Sequence, residues 1–90
     1  MRKTLNSPAQ QALQAMLRAA RLEAGLTQAQ LAEALSKPQS FVSKVEVGER
    51  MVDVIEMIEI LFALRVAPDD FVRRLAQSIA ADLETELPEV

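Results

Sequence analysis

Gly25-Leu26-Thr27-Gln28-Ala29-Gln30-Leu31-Ala32, then Leu35, then Pro38-Gln39-Ser40-Phe41-Val42-Ser43-Lys44-Val45-Glu46-Val47-Gly48: this stretch decides the fold. Thr27 with Gln30 three positions later is a capping-box pattern and opens a helix. Leu31, Ala32 and Leu35 line one of its faces, and Ser36 ends it. Lys37-Pro38 opens a second helix that runs to Val47 and is closed by Gly48, free to adopt the left-handed conformation. Only two or three residues separate the two helices, so their axes must cross steeply. Ala32 has to be small where they cross, and Phe41 or Val42, then Val45, point inward. Gln39, Ser40, Ser43 and Lys44 fall on the opposite side. An α-helix fits the major groove of B-form DNA, and its first two turns can carry amide, hydroxyl and ammonium groups to base edges.

The flanking sequence supplies three more helices. Ser7-Pro8, with Gln10 behind, starts one whose apolar face is Leu13, Met16, Leu17 and Ala20, and Gly25 stops it. Asp53, with Glu56 three residues on, caps the fourth. That helix is apolar on nearly every side except a ridge of Glu56, Glu59 and Ala63. Ala67-Pro68 interrupts, and Asp69-Asp70 put negative charge at the positive end of helix five. Phe71, Leu75, Ile79 and Leu83 recur along helix five at steps of four, and Pro88 ends it. The chain therefore reads as all-α with five helices. Residues 1–6 form a flexible basic leader and 7–90 a single domain, with a core over about 13–66 and a C-terminal packing helix over about 68–87.

Composition narrows the function classes. The 90 residues include no His, Cys, Trp or Tyr. Disulfides, thiolate metal sites and the commonest general base are thereby excluded. No catalytic residues, cofactor or metal are expected, and enzyme is set aside. The acids Asp69, Asp70, Asp82, Glu84 and Glu86 are explained by the helix dipole and a solvated surface rather than by a cation. The longest apolar stretch, Val54 to Leu64, is too short to span a bilayer. Arg2-Lys3 is followed by polar residues rather than a secretory leader, so a cytoplasmic location is expected. The net charge of −3 hides an asymmetry: residues 1–50 hold seven basic and four acidic residues, while 51–90 hold three and nine. The halves thus carry +3 and −6, and phosphates respond to the local field rather than the total.

Over about residues 13–75 the ordered run Thr27-Gln28, Leu31-Ala32, Ser40-x-Val42-Ser43-Lys44 and Glu46-x-Gly48 resembles the Cro/cI-type helix-turn-helix family, the XRE group of phage and bacterial repressors. The resemblance implies a lambda-repressor-like fold with helices two and three as the helix-turn-helix. It implies that Gln39, Ser40 and Lys44 read bases, with Ser43 placed for a base or backbone contact, and that Gln28 touches a phosphate. Arg21 and Glu46 match a pair that ties helix one to helix three. Three departures stand out: Ser36 occupies a turn position where glycine is frequent, Lys37 replaces a short capping residue, and the basic tail that follows Gly48 is thin, with Arg50 alone. Lys37 and Arg50 are expected to join Gln28 as phosphate anchors.

The surplus apolar surface of helices four and five is expected to form a two-fold interface through Ile60, Leu64, Phe71, Leu75, Ile79 and Leu83. Two recognition helices about 34 Å apart then read a palindromic operator on double-stranded DNA. The expected function is a homodimeric transcriptional repressor. The alternative is a protein-interaction module whose acidic, apolar C-terminal half binds a different protein, as in antitoxins.

Overall fold

A computed structural model describes residues 7–86. The expected leader at 1–6 and the stop at Pro88 lie outside the described residues. Five helices follow in order: α1 (Pro8–Glu23), α2 (Gln28–Leu35), α3 (Gln39–Val47), α4 (Val54–Ala63) and α5 (Pro68–Glu86). No strand occurs among the described residues.

Local side-chain chemistry sets the starts. Ser7 Oγ accepts the Gln10 N–H at 3.1 Å, with Pro8 in the first turn. Thr27 and Gln30 cap each other, as do Asp53 and Glu56, each side chain accepting the other's backbone N–H. These bonds satisfy N–H groups that a helix start leaves unpartnered. Helix α3 begins one step later than its Lys37-Pro38 opening suggests. Pro38 is extended and serves as the cap residue itself, without a side-chain acceptor.

The ends of α1 to α4 share one device. In each, a residue with positive φ is followed by one whose N–H reaches back five positions: Leu26 to Arg21, Lys37 to Ala32, Glu49 to Lys44 and Val66 to Leu61. The residues at the bend are Gly25, Ser36, Gly48 and Arg65. This is the Schellman closure, which favours glycine at the bend. Ser36 at φ 57° and Arg65 at φ 60° adopt it with a Cβ present. The left-handed turn therefore survives the absence of glycine at Ser36, because Ala32 and Glu33 still accept the hydrogen bonds that close it.

Helix α1 packs against α3 and against α5, α2 against α3 and α4, and α4 against α5. The core so enclosed is Leu17, Leu31, Ala32, Phe41, Val42, Val45, Ile60, Leu61, Leu64 and Phe71. Phe41 and Val42 are both buried, not one in place of the other. No described helix is long and apolar enough to cross a membrane.

Three of the six side chains expected at a dimer interface belong to this core. Ile60, Leu64 and Phe71 are 4%, 5% and 1% exposed within one protomer. The reason is geometric: α5 lies along α1 and α4, turning those faces inward. Leu75 and Ile79 are half-buried, and Leu83 is exposed. The apolar side chains that α4 leaves in solvent are Val54, Ile55 and Phe62, each about two-thirds exposed.

Candidate nucleic-acid interface

Helix α3 divides by face, apart from Val47 at its last position, which is apolar and exposed. Phe41, Val42 and Val45 are buried, whereas Gln39, Ser40 and Lys44 are exposed and Ser43 is half-buried. The core contacts on one side thus fix which side chains face outward. Ser43 Oγ donates to the Ser40 carbonyl at 3.3 Å. Lys44 extends into solvent from the same surface.

A buried charge cluster braces this helix from behind. Arg21 Nε and Nη2 donate to the two oxygens of Glu46 at 2.7 and 3.1 Å, and Nη1 donates to the Leu26 carbonyl at 2.7 Å. Helix α1 is thereby tied both to α3 and to the turn before α2. Gln28 Nε2 donates to Glu46 Oε1 at 2.9 Å. A carboxylate can only accept, so Glu46 sets which end of the Gln28 amide faces it. The Gln28 carbonyl oxygen then points away and accepts Gln39 Nε2 at 3.5 Å. A buried ion pair thus governs, through one amide, the pose of the first residue of α3.

A second cluster gathers around Phe41, drawing Lys37 from before α3 and Arg50 from after it. Lys37 Nζ and the Arg50 guanidinium stand 5.2 and 4.7 Å from the centre of the Phe41 ring. Both distances are within cation–π range. Arg50 also donates to both oxygens of Glu56, at 3.0 and 2.9 Å, and to the Met51 carbonyl. The charge expected to anchor a phosphate is therefore already offset by a carboxylate. That pairing spans a turn and could not be read from spacing.

The Arg50 hydrogen bonds hold the Glu56 carboxyl below the usual range, and the Asp53 backbone N–H adds to the effect. A depressed folded pKa means the stabilisation is full above the unfolded value and disappears as pH falls through the folded one. The stability difference between wild type and Glu56→Gln should accordingly hold constant at neutral pH and narrow under acid. Chemical denaturation across a pH series checks this, and a gap that persists at the bottom of the carboxylate range would refute it.

The surface also contains a cation that sequence reasoning missed. Arg18 is 61% exposed, and its Nε lies 4.0 Å from Glu46 Oε1. The available signal was its spacing of three from Arg21, which puts both on one side of α1.

Residues 17–71 match the helix-turn-helix family model, well over half of the chain. An XRE-family-like protein from Pseudomonas syringae pv. tomato is 41% identical, covering 83% of this chain and 92% of its own, with a TM-score of 0.77. This chain belongs to the XRE family. XRE proteins are helix-turn-helix DNA-binding transcription regulators. Two further structures are similar. The clp gene regulator ClgR from C. glutamicum is 30% identical, covering 78% of this chain and 90% of its own, at a TM-score of 0.69. A single-site mutant of the restriction–modification controller protein C.Esp1396I is 25% identical, covering 77% and 92%, at 0.70. No curated protein sequence matches the chain.

Proposed function

We propose that this XRE protein binds double-stranded DNA sequence-specifically, as a homodimer on a palindromic operator, and represses transcription by occluding a promoter. The observation that carries the reading is the division of α3: an apolar side locked in the core and a Gln39, Ser40, Lys44 side left in solvent. Helix α3 enters the major groove, and these three side chains select bases, with Ser43 beside them. Lys37 and Arg50 hold backbone phosphates, Arg50 with its charge offset by Glu56, and Gln28 joins them through its second Nε2–H, the first being given to Glu46. A second copy doubles the base contacts and covers exposed apolar surface, Leu83 on α5 and Val54, Ile55 and Phe62 on α4.

Selection from random duplexes by the purified protein tests all of this together. An enriched inverted repeat is the expected result, and the absence of any enriched sequence would refute it. Lys44→Ala should lose preference at one base position by roughly 1–3 kcal/mol while still binding DNA. Competition among single-base variants of the selected site measures it. Unaltered selectivity in that variant would remove Lys44 from the reading surface.

The same exposed α4 side chains suit the second reading, in which a different protein covers them. A homodimer in the purified state favours the first reading, and a monomer that aggregates until a partner is supplied favours the second.

A further inference from the structure

The charge cluster behind α3 holds two arginines around one glutamate. Arg21 occupies both oxygens of Glu46 at hydrogen-bond distance, and its side chain is 7% exposed. That buried pair is electrically complete. Arg18 is left over: among the described residues its guanidinium has one ion-pair neighbour, Glu46 Oε1, at a distance beyond hydrogen-bond reach. The cluster therefore carries a net positive charge, and the charge sits on its solvent side.

Its position relative to α3 follows from the shared atom. Glu46 Oε1 is also the acceptor for Gln28 Nε2, and Gln28 in turn accepts from Gln39. Arg18 and Gln28 thus meet at one oxygen of Glu46, and Gln28 reaches Gln39 at the start of α3. Lys37 and Arg50 stand at the Phe41 side instead. Of the two arginines, Arg50 has its charge offset by a bidentate carboxylate and Arg18 does not.

We infer that Arg18 binds a backbone phosphodiester of the duplex, at the α1 margin of the recognition surface beside Gln28, and contributes more phosphate neutralisation than Arg50. The inference rests on the DNA-binding reading above and adds a residue to it. A neutralised phosphate releases counterions, so each such contact steepens the fall of affinity with salt by about 0.9 in a log–log plot. A contact to phosphate carries no base information, so its loss should weaken binding to all sequences alike.

The test is a salt series of duplex binding, with the selected site and a random-sequence duplex, for wild type, Arg18→Ala, Arg18→Lys and Arg50→Ala. Arg18→Ala is expected to lower the slope by about 0.9 for each bound protomer. Quadrupling the salt then weakens wild type by about 3.5-fold more, per protomer, than the variant. Arg18→Lys should keep the wild-type slope, and Arg50→Ala should change it less than Arg18→Ala does. All variants at position 18 should melt with wild type, since the side chain is exposed. Wild type that binds while Arg18→Ala keeps its slope would overturn the assignment of Arg18 alone. A lost slope accompanied by a lowered melting temperature would also overturn it, in favour of a structural role. Wild type that binds neither duplex would overturn the DNA-binding reading itself.

Discussion

Replacing Glu46 with Ala should lower the unfolding free energy by about 3–5 kcal/mol, because it leaves the Arg21 guanidinium buried without its counter-charge. The two side chains are 4% and 7% exposed. A folded protein of this size is stable by only about 5–15 kcal/mol, so this variant should keep a much smaller margin and unfold at markedly lower urea than wild type. Urea denaturation measures the loss. The double variant Arg21→Met with Glu46→Leu should recover most of it, since replacing a buried pair by apolar side chains is often neutral. A loss below about 1 kcal/mol for Glu46→Ala, the range of exposed ion pairs, would show that water reaches the cluster. The consequence extends to recognition. Without Glu46, the Gln28 amide has no fixed acceptor, and Gln39 loses the partner that orients it.

Phe71→Ala should cost about 3–5 kcal/mol, the range for deleting a fully buried aromatic side chain. Phe71 is 1% exposed within a single protomer. Its deficit relative to wild type should therefore be the same at every protein concentration. An interface residue behaves differently, since stabilisation that comes from association varies with protomer concentration. Thermal melts over a concentration series separate the two. A deficit that shrinks or grows with concentration would return Phe71 to the dimer contact first expected of it.

The distance between the expected interface and the observed burial of Phe71 shows where the sequence stopped being readable. Steps of four along Phe71, Leu75, Ile79 and Leu83 identify an apolar face, but nothing in the period says what covers it. Only the packing of α5 along α1 reveals that the first of these is core and the last is solvent-facing. Helix starts were legible because Ser7, Thr27 and Asp53 announce themselves through side-chain chemistry. The stop of α4 was less so, for Arg65 bends backward without a glycine to mark it. The polar face of α3 was legible from spacing alone. The pairing of Arg50 with Glu56 was not, since it depends on how the chain turns between α3 and α4.

The chain's charge is divided between its halves, +3 up to residue 50 and −6 beyond it, with α1 packed against both α3 and α5. Over the described residues the division persists as an acidic excess on one segment: residues 7–50 hold five basic and four acidic residues, and 51–86, which carry α4 and α5, hold three and eight. A polyanion repels that acidic segment more strongly than the rest, which turns α4 and α5 outward before any contact forms. Diffusional encounters then arrive pre-aligned, and the association rate falls as added ions shorten the Debye length.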